Sequence, residues 1–66
     1  MGFKIKEYRK KLGISQQELS EKAGVSRTII SGLESGRIKV TSTGTLLKIA
    51  VALNAEIGDI FYVKGA

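Results

Sequence analysis

Residues 16–35, which read QQELSEKAGVSRTIISGLES, contain two short helix-forming segments separated by a turn that contains Gly24. Ser15 and Glu18 form a capping-box pattern, in which each side chain can accept a hydrogen bond from the other residue's backbone N–H group. Leu19 and Ala23 lie one helical turn apart and give the first segment an inward apolar face. The pattern therefore predicts a helix that begins after Ser15 and ends near Ala23.

A second helix is predicted directly after the first. Gly24 can adopt the positive φ angle that ends a helix, and Ser26 is a candidate N-cap for the next one. Ile30 and Leu33 then form an inward apolar stripe, and the small Ser20 lets the two helices cross closely. Two short helices joined in this way form a helix-turn-helix pattern, here covering about residues 16–35.

Apolar residues at spacings of three and four predict three more helices around this motif. These helices cover about residues 3–12, 45–53 and 57–62. Residues 37–44 show no helical stripe and are predicted to form a loop. The chain is therefore expected to form one domain over residues 1–66, an all-α bundle of five helices.

The charge of the chain is high and unevenly distributed. Its 66 residues include 11 Lys and Arg against 6 Asp and Glu, which gives a net charge of +5. Residues 1–39 hold nine basic and four acidic side chains, whereas residues 40–66 hold two of each. Because neutralised phosphates release counterions, this asymmetry favours a face that binds a polyanion, although a solvated helix face would carry similar charge.

The residue types that are absent argue against most enzymes and metalloproteins. The chain contains no His and no Cys, so it lacks imidazole and thiolate ligands and a near-neutral general base. We expect no catalytic activity, metal or cofactor. The apolar stretches are far shorter than the roughly 20 residues that cross a bilayer, and no signal-peptide pattern is present. We expect a cytoplasmic protein with neither a membrane partner nor a small-molecule ligand.

Three segments of the sequence resemble the Cro/CI-type helix-turn-helix of phage repressors, the XRE family. They are LGISQQELS (12–20), AGVSR (23–27) and ISGLESGR (30–37). The segment LLKIAVALN (46–54) and the apolar residues after it are similar to the fourth and fifth helices of that family. The resemblance implies a five-helix, lambda-repressor-like domain that binds double-stranded DNA and regulates transcription. It implies a homodimeric repressor on an inverted-repeat operator, with the third helix in the major groove.

The resemblance also implies which residues face the bases. They are Ser26, Arg27, Thr28, Ser31 and Gly32. Arg27 is the strongest candidate, since its guanidinium can donate two hydrogen bonds to guanine O6 and N7; alternatively, it reaches a phosphate. Gly32 departs from the family, many members of which carry a long polar side chain at the matching position.

Other residues are assigned by the resemblance to phosphate contacts and to structure. The expected phosphate contacts are Gln16, Arg37, Lys39 and Thr43. Arg9 and Glu34 match a pair that forms a buried ion pair in several family members. That ion pair would join the first helix to the end of the third.

Apolar residues near the carboxyl end form a candidate dimer interface. They are Val51, Phe61 and Tyr62. A different class of protein, an interaction module such as an antitoxin or scaffold that retains the fold, would rely on apolar surface in the same way. The residues that would serve either purpose are Ile38, Val40, Val51, Tyr62 and Val63. The position of the charge separates the two functions, because a DNA-binding protein needs Gln16, Arg27, Arg37 and Lys39 exposed on one face.

Overall fold

Five helices and a pair of two-residue strands make up the fold in the computed structural model, which describes residues 2–62. In chain order the elements are β1 (Gly2–Phe3), α1 (Ile5–Leu12), α2 (Gln16–Ala23), α3 (Arg27–Ser35), α4 (Thr43–Ala52), α5 (Ile57–Ile60) and β2 (Phe61–Tyr62). The predicted five-helix architecture is confirmed. None of the helices in this part of the chain is both long and apolar enough to span a bilayer.

The turn between α2 and α3 follows the local signals of the sequence. The Ser15 hydroxyl accepts a hydrogen bond from the backbone of Glu18, and the Glu18 carboxylate accepts one from the backbone of Ser15, both at 3.0 Å. Gly24 ends α2 with a φ angle of 67°. The Ser20 hydroxyl then donates a 2.7 Å hydrogen bond to the Val25 carbonyl, which fixes the chain where the two helices meet.

The two ends of the described chain pair as short antiparallel strands, which the sequence did not predict. Phe3 was expected to begin the first helix, but it lies opposite Phe61 in the β1–β2 pair. The predicted fifth helix was too long, since it ends at Ile60 and Phe61 has extended backbone angles. The ring centroids of Phe3 and Phe61 lie 6.3 Å apart. Aromatic residues favour strands when a partner is available, and here the partner comes from the opposite end of the chain.

The fourth helix begins two residues earlier than predicted. The Ser42 hydroxyl accepts a hydrogen bond from the backbone of Thr45 at 3.1 Å, so Ser42 is the N-cap and Thr43 is the first helical residue. The helix ends at Ala52, and Asn54 then takes a positive φ of 55°. A short polar side chain such as that of Asn tolerates this conformation better than most.

The core lies between the helices and collects apolar residues from all five of them. The buried apolar residues are Ile5, Leu19, Ala23, Val25, Ile30, Leu33, Leu46, Ile49, Ala50, Leu53 and Ile60. Five of them lie in the helix-turn-helix, where their burial fixes the two helix axes relative to each other: Leu19, Ala23, Val25, Ile30 and Leu33. The outer face of α3 is consequently fixed by apolar packing behind it, and not by the polar residues that it exposes.

Candidate nucleic-acid interface

Five residues expected to contact DNA line one open groove of about 300 Å³ beside α3. They are Gln16, Arg27, Thr28, Ser31 and Arg37, and we call this surface the α3 groove. The groove contains two guanidinium groups and no carboxylate. Such a lining favours an anion, and two arginines can each donate paired hydrogen bonds to a phosphate or to a guanine edge.

The first turn of α3 contributes the most exposed part of the groove. Arg27 and Thr28 are both exposed, and Ser31, one turn further on, is half-buried. Ser26 is exposed as well, but its hydroxyl accepts a 3.2 Å hydrogen bond from the Ile29 backbone and so caps the helix. The side chain of Ser26 therefore stabilises the helix end from which Arg27 extends.

Gln16 reaches the groove from the start of α2. Its side-chain Nε2 donates a 3.2 Å hydrogen bond to Oε1 of Glu34, and the residue is half-buried. This bond joins the first turn of α2 to the last turn of α3. It fixes the orientation of Gln16 at the edge of the groove.

Arg9 and Glu34 form the expected ion pair. Arg9 Nε and Nη2 donate to the two Glu34 carboxylate oxygens at 2.9 and 3.0 Å, and Nη1 donates to the Ile14 carbonyl at 3.0 Å. The side chains of Arg9 and Glu34 retain 13% and 5% of their exposure. Together these bonds attach α1 and the loop after it to the end of α3.

The ion pair shifts the pKa of both partners. The hydrogen bond from Arg9 to Glu34 raises the pKa of Arg9 despite its burial. Burial alone would raise the pKa of Glu34, but hydrogen bonds from Arg9 and Gln16, with the charge of Arg9, hold that pKa below its usual value. Glu34 is therefore ionised in the neutral range. Because Arg9 neutralises its charge, Glu34 does not repel an anion in the α3 groove.

Arg37 lies in the loop after α3, but its side chain extends back along that helix. Its Nη2 donates to the Thr28 carbonyl at 3.4 Å, and its backbone N–H donates to the Ser35 hydroxyl at 3.3 Å. The guanidinium group thus lies over the first half of α3, in the same groove as Arg27.

The expectation that Gly32 lies on the outer face of α3 is wrong. Gly32 is buried, and its carbonyl accepts a 2.9 Å hydrogen bond from the Ile38 backbone. A Cβ atom at position 32 would lie only 2.5 Å from Ile38 Cδ1. The loop after α3 therefore covers this position, and Gly32 has no surface with which to meet a base.

Lys39 and Thr43 are exposed but lie outside the α3 groove. Lys39 lines a separate cavity of about 420 Å³, together with Phe3 and residues from the end of α3. Thr43 is the first residue of α4, and the helix is capped by its neighbour Ser42. The structure thus groups Gln16, Arg27 and Arg37 but not Lys39.

The candidate dimer residues differ in exposure. Val51 is 68% exposed, whereas Phe61 is half-buried against the core. Val63 and the side chain of Tyr62 lie outside the described residues. Leu47, one turn before Val51, is 52% exposed and was not among the residues predicted for this surface. The sequence does contain a signal for Leu47. This residue lies four residues before Val51, so the two share one side of α4, away from the buried stripe of that helix.

Comparisons with known proteins agree with this architecture. A family model described as helix-turn-helix matches residues 5–60. An HTH-type transcriptional regulator of Methanothermobacter thermautotrophicus is 48% identical over 60 residues, which cover 86% of this chain and 83% of the relative. A similar regulator of Archaeoglobus fulgidus is 43% identical over 61 residues, which cover 92% and 86%.

The fold is also similar to a solved structure, the N-terminal DNA-binding domain of SinR from Bacillus subtilis. The two superpose with a TM-score of 0.84 at 34% identity, covering 94% of this chain and 90% of the other. Since the family model covers most of the chain and these relatives match nearly all of it, the chain belongs to the XRE-type helix-turn-helix family.

Proposed function

We propose that this protein is a sequence-specific DNA-binding transcriptional regulator that inserts α3 into the major groove. The α3 groove carries this proposal, because Arg27, Arg37 and Gln16 line it together beside the second motif helix, with no carboxylate among the lining residues. The similarity to SinR supports it, since a SinR structure in complex with DNA has a TM-score of 0.79 at 37% identity, covering 82% of this chain and 86% of the other.

Within this function, the residues in and around the α3 groove have distinct roles. Arg27 and Thr28 contact base edges, and Ser31 approaches them from the next turn, because the N-terminal residues of such a helix meet the bases. Ser26 holds the helix end close to the DNA. Gln16 binds a phosphate. Its hydrogen bond to Glu34 also holds the start of α2 against the end of α3, and so sets how deeply α3 enters the major groove of the DNA. Lys39 and Thr43 contact the backbone further out, where phosphate contacts position a protein on its site without reading sequence.

The protein acts as a homodimer and a repressor. A single domain with this few base readers binds weakly, whereas two copies on an inverted repeat insert their α3 helices about 34 Å apart into successive major grooves. Val51 and its neighbour Leu47 supply exposed apolar area for self-association. Repression then results when the bound dimer blocks RNA polymerase.

The test is selection from a randomised duplex pool, with fluorescence anisotropy at two salt concentrations and sequencing of the bound DNA. We expect salt-dependent binding, enrichment of an inverted repeat, and loss of preference at one base pair for Arg27→Ala. Retention of no duplex even at low salt would overturn the proposal. It would favour instead the interaction module, for which the exposed apolar face of α4 would be the binding surface.

A further inference from the structure

We infer that Arg37 reads a base edge in each half-site, and that Gly32 positions it to do so. This inference rests on the proposed DNA-binding function and adds a specificity-determining residue to it. The family resemblance implies only a phosphate contact for Arg37.

The path of the Arg37 side chain is the first observation. The residue follows α3, yet its Nη2 reaches the Thr28 carbonyl in the first turn of that helix, 3.4 Å away. The same nitrogen lies 3.2 Å from the place that a Cβ on Gly32 would occupy. Thr28 and Gly32 are one turn apart on the same side of α3. The guanidinium therefore lies along this ridge, over the half of the helix that meets base edges in similar motifs.

The packing at Gly32 explains how the loop reaches this position. Ile38 lies directly on the glycine, so that a Cβ there would be 2.5 Å from Ile38 Cδ1 and 2.6 Å from Cγ1. The Ile38 backbone donates a 2.9 Å hydrogen bond to the Gly32 carbonyl. The Ser35 hydroxyl donates to the same carbonyl and accepts from the Arg37 backbone, both at 3.3 Å. These hydrogen bonds hold the loop against the end of α3, and the packing of Ile38 on that helix depends on the absence of a side chain at position 32.

The chemistry of the guanidinium group fits a base edge. It has five N–H donors, and the bond to Thr28 uses only one nitrogen of Arg37. No carboxylate among the described side chains pairs with it. Arg37 lines an open groove that Arg27 also lines. A planar donor pair matches O6 and N7 of guanine, the commonest specific contact in the major groove, whereas an exposed loop cation that binds phosphate needs no such positioning.

The first test compares Arg37→Lys with Arg37→Ala on the selected inverted repeat and on single-base variants of its half-site. Lysine keeps the charge but loses the planar donor pair. We expect Arg37→Lys to reduce discrimination at one base pair by about tenfold, with unchanged affinity for random duplex and an unchanged salt dependence. The affected base pair should differ from the one that Arg27→Lys affects. If it contains guanine, 7-deazaguanine on wild-type protein should reproduce the loss.

The second test addresses the positioning role. Gly32→Ala should displace Ile38 and Arg37 and reduce discrimination at the same base pair as Arg37→Lys. Gly44→Ala is the matched control, because it lies in α4 and its Cβ would meet no atom closer than 3.9 Å. Circular dichroism establishes that each variant is folded before its base preference is measured.

The outcomes separate the inference from the proposed function. If wild-type protein retains no duplex, both fail. If it selects an inverted repeat, but Arg37→Lys keeps every base preference, the inference alone fails. If Arg37→Ala weakens binding to all duplexes by one common factor and lowers the salt dependence, Arg37 is a phosphate contact and the inference is overturned. A folded Gly32→Ala variant with full preference would overturn the positioning role.

Discussion

The guanidinium of Arg9 and the carboxylate of Glu34 form two parallel hydrogen bonds, at 2.9 and 3.0 Å, across 25 positions of the sequence. The pair joins α1 to the last turn of α3, and Gln16 adds a third bond to the same carboxylate. Removal of either charged partner would leave the other largely buried. The stability of the motif and the orientation of the Gln16 side chain thus depend on the same carboxylate.

Arg9→Met should destabilise the protein by about 3 to 5 kcal/mol, because it leaves the Glu34 charge buried without its partner. The double variant Arg9→Met with Glu34→Leu should recover most of this loss, since apolar side chains of similar size often replace a buried pair without cost. Urea unfolding measures both. If the double variant is no more stable than the single one, the loss arises from the bond between Arg9 and the Ile14 carbonyl.

The stability of the protein should fall in acid because of Glu34. Its pKa in the folded state is lowered, so its contribution to the free energy of unfolding is complete above the pKa of an unfolded glutamate, about 4.3. That contribution disappears as the pH falls through the lower, folded pKa. Arg9 adds nothing to this dependence, because a raised arginine pKa lies far above the range.

Thermal unfolding between pH 7 and pH 2 measures this effect. Glu34→Gln provides the control, since it retains the shape of the side chain but cannot titrate. Its midpoint temperature should vary less with pH than that of the wild type. Equal slopes for the two proteins would place the acid sensitivity in the other carboxylates.

Two neighbouring hydroxyl residues should respond differently to alanine. Ser42→Ala removes the hydrogen bond to the Thr45 backbone at the start of α4 and should cost about 1 kcal/mol. Thr43→Ala should leave the stability unchanged within about 0.5 kcal/mol, because Thr43 is exposed and does not cap the helix. Chemical denaturation distinguishes the two. An equal loss for Thr43→Ala would show that the cap had been assigned to the wrong residue.

Val51→Asp should weaken self-association and leave the monomer folded, because Val51 is exposed and its replacement places a charge in an apolar interface. Sedimentation velocity over a range of concentrations measures the mass, and circular dichroism reports the fold. Gln17→Asp, which adds the same charge at an exposed polar position on α2, provides the control. An unchanged mass for Val51→Asp would move the interface away from this face.

The sequence predicts the helix-turn-helix well because its signals are local. The capping box at Ser15 and the glycine at position 24 act within a few residues of themselves, and both behave as predicted. The pairing of Arg9 with Glu34 came from the family resemblance instead, since nothing in the local pattern joins residues so far apart.

The features that the sequence did not predict depend on distant contacts. Phe3 and Phe61 form strands only because the fold brings the two ends of the described chain together. Gly32 is buried because Ile38 returns to cover it, and a helical pattern would place it on the outer surface. The position of Arg37 in the α3 groove follows from the same return of the loop.

The strand pair also has a consequence for the order of folding. Joining β1 to β2 closes a loop of nearly the whole chain, and the entropy of such a closure costs on the order of 4 kcal/mol. Two residues on each strand recover little of this free energy. The strand pair is therefore stable only after the helices have formed and have brought the two ends of the described chain closer together. The helices form from nearer contacts and should come first. A spectroscopic probe near Phe3 would therefore report the final step of folding, when the two ends meet.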